Sequence, residues 1–205
     1  LAAMFARPEI TGGGTTLNGG GAVQLGSDTA LGTGTLNFNG GTIQPDAAGL
    51  ATILPVRTLS NPIAFSGTQA VAMVAPGGAL TTINGAYAAD AFFGAPNNTD
   101  LRLIGPVALG ANIERTLNVA STTRVVTLSG AVTGTGSAGL IAAGGGYLRL
   151  SNPANSYSGN TAVANNTILV VGAVGALPSA STLVGAGGTL GYWDVSTTFN
   201  NNVNL

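Results

Sequence analysis

Short alternations of apolar and polar residues run the length of the chain: "AVQL" at 22–25, "TLNF" at 35–38, "TLNV" at 116–119, "RVVTL" at 124–128, "YLRL" at 147–150 and "TILVV" at 167–171, each bounded by Gly, Asn or Pro. A period of two is that of a strand with one buried face, and the bounding residues are turn chemistry. The pattern predicts many short strands, close turns and no helix. Composition strengthens this reading. Of 205 residues, 33 are Gly, and the 45% hydrophobic share is dominated by Ala, Val and Leu with only 5% aromatics. Such a chain has material for a core but little support for long packed helices.

Internal repetition separates the all-β architectures. The segment 11–43 aligns with 158–190 if one gap is allowed on each side, keeping Leu17 with Val163, Val23 with Leu169, Leu25 with Val171, Gly26 with Gly172 and Leu31 with Leu177. Downstream, "TLSNPIAF" (58–65) faces "TFNNNVNL" (198–205), pairing Thr58 with Thr198, Asn61 with Asn201, Ile63 with Val203 and Phe65 with Leu205. The offset between copies differs at the two places, as it would if a loop had changed length. A shorter echo sets "NPIAFSG" (61–67) against "GPVALGA" (105–111). A β-sandwich has no reason to restate a long segment, whereas a solenoid is made by restating one. The expected fold is all-β, a parallel β-solenoid forming a single elongated domain over 1–205 with a loop excursion. Coils of roughly 20 residues at ~4.8 Å spacing would give on the order of ten coils and a rod about 45 Å long.

The segment 126–190, and within it "YLRLSNPANSYSGNT" (147–161) and "ILVVGAVGAL" (168–177), resembles the autotransporter-associated β-strand repeat of bacterial surface proteins. That family's pattern runs "LxLSGxNxYxGxT", then Leu-Val-Val-Gly and "ALGxGxLxxxGGTL"; Pro153 is an insertion or replacement near the family's Gly. Good matching covers 126–190 and 11–43, about half of the chain. The resemblance implies a right-handed parallel β-helix, export to the cell surface or outside of a bacterium, and roles in adhesion, aggregation, coating or filament formation. Its repeat defines no catalytic residue to carry over.

Candidate chemistry is sparse. Charged residues are 6% of the chain, six Arg and seven acids, giving a net charge of −1 with no basic run, so nothing marks nucleic acid or anionic lipid as a partner. No Lys, His or Cys is present, which removes Schiff-base lysines, His-containing triads, thiolate nucleophiles, disulfides and the usual zinc sites. No apolar run is long enough for a membrane-spanning helix, and this segment is not expected to insert in a membrane. "GTGSAG" at 134–139 spells a dinucleotide fingerprint, but neither a following helix nor an acid about 20 residues on accompanies it, so it reads as a coil corner. The acids Glu9, Asp28, Asp46, Asp90, Asp100, Glu114 and Asp194 are scattered singly, without the converging carboxylates of a glycosidase or a calcium repeat. No catalytic residue, cofactor or metal is expected.

The stretch 85–103 departs most from the repeat, and 85–100 is expected to leave the coil, gathering Tyr87, Phe92 and Phe93. With Tyr192 and Trp193 of "GYWD", these are the candidate interaction residues, since exposed aromatics stack on sugars or plug a neighbouring chain; the alternative, which isolated aromatics favour, is packing on the rod's flank or in its core. Alternation should turn one of Tyr192 and Trp193 inward. Arg102, Arg115, Arg124 and Arg149 are expected to be solvated or locally paired on the surface. The function expected is a non-catalytic structural or interaction role in an extracellular bacterial fibre, stalk or passenger. Its partners would be further copies or continuations of the rod end to end, the visible ends having no evident polar cap, and cell-surface glycans or matrix. The alternative is a carbohydrate-binding adhesin or a polysaccharide-degrading β-helix enzyme.

Overall fold

The computed structural model describes residues 13–18, 22–45, 57–66, 71–73, 101–120, 125–178, 183–192, 201 and 203–204. Among these, every regular element is a strand of two to six residues and none is a helix. The strands fall on three faces. The first face carries β1 (Thr15–Asn18), β3 (Leu36–Asn39), β6 (Ile63–Phe65), β9 (Val107–Ala111) and β12 (Val132–Thr135). The second carries β2 (Ala22–Leu25), β4 (Thr42–Pro45), β7 (Val71–Met73), β10 (Glu114–Val119), β13 (Gly139–Ala143), β15 (Thr161–Ala164), β17 (Leu183–Ala186) and β19 (Val203–Asn204). The third carries β5 (Arg57–Leu59), β8 (Leu101–Leu103), β11 (Val125–Leu128), β14 (Tyr147–Leu150), β16 (Ile168–Val171) and β18 (Thr189–Tyr192). From β3 to β14 the chain visits the faces in turn, from β15 to β19 the named strands alternate between the second and third faces, and each named strand pairs in parallel with the strand one coil away. This is a parallel β-solenoid of about five full turns with partial coils beyond them.

The expectation of about ten coils is corrected, because coils are longer than 20 residues. Groups hydrogen-bonded across adjacent rungs lie 22 residues apart at Ser129 and Ser151, 25 at Asn112 and Ser137, and 30 at Asp28 and Thr58. The eight strands of the second face span about 35 Å at the usual inter-strand distance. The expected excursion at 85–100 lies outside the described residues.

On many of the described strands, alternation becomes burial. On the third face Leu59, Leu103, Leu128 and Leu150 form one inward column, with Val171 above them, and Leu101, Val126, Leu148 and Leu169 form another; all are essentially inaccessible. Burying each such side chain stabilises the coil by about 1.5–3 kcal/mol. On the first face Leu17, Phe38 and Phe65 stack in register, the two rings 5.7 Å apart. Coils approach so closely at the corner between the third and first faces that a Cβ on Gly130 would strike the Gly105 backbone, and one on Gly105 would strike Asn61. The shorter sequence echo is this stacking seen in the chain: Ile63 pairs with Val107 and Ala64 with Ala108 on consecutive rungs.

The long repeat holds a feature that alignment alone does not reveal. Its equivalent residues lie on different faces: Leu17 is on the first and Val163 on the second, Val23 on the second and Leu169 on the third, Ile63 on the first and Val203 on the second. The later copy is therefore advanced by one face. In the first copy a turn over 26–34 takes the place of a third-face strand between β2 and β3. In the second copy the described part of the connection from β16 to β17, residues 172–178, is the same turn. Ala30 N donates to Ser27 O at 3.3 Å, as Ala176 N does to Ala173 O at 3.1 Å, and Ala30–Leu31 and Ala176–Leu177 are buried alike.

Candidate interaction surface and the polar interior

Of the five candidate interaction residues, Tyr87, Phe92, Phe93 and Trp193 lie outside the described residues. Tyr192 closes β18 and pairs with Val171, which is an inward position, yet it is 47% exposed, β18 being the terminal strand of its sheet among the described residues. Partial burial pushes its phenol above the ordinary tyrosine value. "GTGSAG" is a corner, as read from its context: Thr135 to Ala138 turn between β12 and β13, with Gly136 at a φ of 62°.

Arg102 is exposed and donates from Nε to Ser129 Oγ at 3.1 Å, which itself lies 3.2 Å from Ser151 Oγ. Arg149 is half-buried and packs against Gly172 on the next rung. Arg124 lies outside the described residues. For Arg115 the surface expectation is overturned. It is 7% exposed and points into the coil beside Leu117 and Val119 of the same strand, donating from Nε to Leu109 O at 2.8 Å and from Nη2 to Phe65 O at 3.0 Å. Its guanidinium lies 5.8 Å from the centre of the Phe65 ring, and desolvation lowers its pKa. The physical reason is a register shift between β9 and β12 at Thr133/Thr135, with Gly110 at a φ of 96°. There the chain bulges, and a planar cation fits between two backbone carbonyls. Period-two parity with Leu117 and Val119 was the signal that could have placed Arg115 inside.

A second polar group sits where the first-face ladder thins to a single bridge between Thr133 and Ser156. On lower rungs, the amide that begins each first-face strand donates to the backbone of the next coil: Leu36 N to Pro62 O, Ile63 N to Pro106 O, Val107 N to Ala131 O. Val132 N instead donates to the side-chain oxygen Oδ1 of Asn155 at 2.8 Å, and Asn155 Nδ2 passes the connection on to Ala176 O at 2.7 Å. The amide side chain stands in for a peptide group, accepting on one side and donating on the other. Two residues later Tyr157 enters the interior completely, its hydroxyl 2.8 Å from Thr161 Oγ1, and burial raises its pKa to about 12. Gly134, on the rung below, leaves room for it; a Cβ there would press on Ala138 and Tyr157. Asn155, Tyr157 and Thr161 stand at the Asn, Tyr and Thr of the motif quoted above. Asn61, 1% exposed, likewise gives Nδ2 to Gly32 O at 3.1 Å and Gly34 O at 2.7 Å.

Among the described residues, no group of three or more acids could hold a metal ion, and no helix is long and apolar enough to cross a membrane. Comparison with protein-family models, with curated proteins and with solved structures yields no match to this chain.

Proposed function

We propose that the chain is a non-catalytic structural segment of an extracellular bacterial surface fibre, stalk or autotransporter-type passenger. The observation that carries this reading is the use made of the interior polar groups. Arg115, Asn61 and Asn155 all direct their donors at backbone carbonyls of the same or neighbouring coils, and the Tyr157 hydroxyl meets Thr161. Such groups hold coils in register instead of facing a substrate. The sparsely charged chain and the motif resemblance agree with a coat or stalk, in which rods continue one another lengthwise. Electron microscopy of the native material tests this: long thin fibres or stalks at the bacterial surface are expected, and compact particles with polysaccharide-cleaving activity would overturn it. A second reading, a sugar-binding adhesin, draws on the half-exposed Tyr192. Glycan binding that disappears in Tyr192→Ala would favour it.

A further inference from the structure

We infer that the turn over 26–34 guards an open sheet edge against strand addition by a second copy of this chain, and that Asp28 is its lock. Among the described residues, β5 is the terminal strand of the six-stranded third face. Ile104 N donates to Leu59 O, so Leu59 turns toward β8, and Thr58, one residue away, turns its peptide groups to the free side. On that side Thr58 N donates to Asp28 Oδ1 at 3.1 Å. The turn is fastened by two further contacts, Arg57 Nε to Leu25 O at 2.9 Å and Asn61 Nδ2 to Gly32 O and Gly34 O. Ala30 and Leu31 plug the coil beneath it, each 3% exposed.

An unpaired edge amide is a template for another strand. A side-chain oxygen that satisfies that amide takes the place an incoming strand's carbonyl would occupy, so the ladder ends there. The second copy of the turn shows that packing and lock are separable. It keeps the buried Ala176–Leu177 pair, but Val174 stands at the position equivalent to Asp28 and is 58% exposed. The Asp28 carboxylate therefore has no side-chain counterpart at the equivalent position of the second copy.

The test uses the full chain and reads two quantities: hydrogen exchange at the Thr58 amide, and the lag of self-association followed by light scattering. Asp28→Ala should speed Thr58 exchange by about tenfold, the loss of one hydrogen bond, and shorten the lag several-fold. Asp28→Asn, which keeps an accepting oxygen, should behave as the parent protein. The double variant Asp28→Ala with Thr58→Pro removes the edge donor and should restore the slow lag. Unchanged exchange at Thr58 in Asp28→Ala overturns the lock. An Asp28→Asn chain that associates as fast as Asp28→Ala replaces the hydrogen bond with simple charge repulsion and overturns it equally. If Asp28→Ala loses its β-sheet circular dichroism, Asp28→Asn against the parent protein decides by the same two readings: equal exchange and equal lag support the lock, and a shortened lag overturns it.

Discussion

Asn201 donates from Nδ2 to the carbonyl of Pro178 at 2.7 Å, and in doing so repeats what Asn61 does to Gly32 at 3.1 Å. The four residues are equivalent pairs of the long repeat, although the copies lie one face apart around the coil. A hydrogen bond retained through that change of face identifies the unit of construction. It is a turn that replaces a strand, with an asparagine from the following coil tying the turn down. Asn61→Ala and Asn201→Ala should each lower the urea midpoint. Asn61→Ala should cost more, about 1–2 kcal/mol, because it removes two hydrogen bonds from a fully buried side chain, offset in part by the loss of its unpartnered Oδ1, whereas Asn201 is half-buried.

Replacement of Asn155 probes the side chain that stands in for a peptide. Asn155→Ala leaves both the Val132 amide and the Ala176 carbonyl without partners in a buried corner, and about 3 kcal/mol of stability should be lost in equilibrium unfolding. Asn155→Asp keeps the acceptor but sets a carboxylate against the Ala176 carbonyl. It should therefore be nearly as damaging at neutral pH and recover in part on acidification, when the protonated oxygen can donate.

Arg115 should resist conservative exchange. Arg115→Lys keeps the charge but not the fork that reaches Leu109 O and Phe65 O together, and is expected to cost about 2 kcal/mol. Arg115→Ala adds a cavity beside Phe65 and should cost about 3–5 kcal/mol. Arg102→Ala, at an exposed site, should change the unfolding midpoint by less than about 0.5 kcal/mol.

Tyr157 gives the protein an alkaline limit. Its pKa is raised from 10.0 to about 12 in the folded state, chiefly by burial. Below pH 10 the phenol is neutral in both states and the stabilisation is complete. Between pH 10 and about 12 the unfolded chain loses its proton first, and stability falls by up to about 2.7 kcal/mol. Tyr157→Phe should be about 1 kcal/mol less stable at pH 7, for the lost contact with Thr161, and should lack this contribution to the alkaline decline.

The solenoid was legible because alternation and repetition constrain each other: "YLRL" buries every second residue, "TILVV" buries Leu169 and Val171 in the same columns, and only stacking gives both a common interior. The advance of the repeat by one face was not, since three faces that all alternate with period two are indistinguishable in a one-dimensional alignment. Coil number was overestimated because turn residues such as those at 26–34 lengthen a coil without adding a strand. Arg115 was hidden by its charge, which suggests surface, although its parity with Leu117 and Val119 places it inside. Asn155 and Tyr157 were visible as motif letters, but their role depends on rungs above and below that a single line of sequence does not display.

Stacking of residues one coil apart is tested most directly at Ser129 and Ser151, whose hydroxyl oxygens lie 3.2 Å apart on neighbouring rungs. The chain has no cysteine, so Ser129→Cys with Ser151→Cys introduces a single pair at an inter-strand distance that a disulfide spans without distortion. Mild oxidation of the monomer should join the two residues intramolecularly and almost completely, shown by peptide mapping, and raise the unfolding midpoint. Thiols that stay reduced, or that link only between molecules, would contradict the coil register on which the whole account rests.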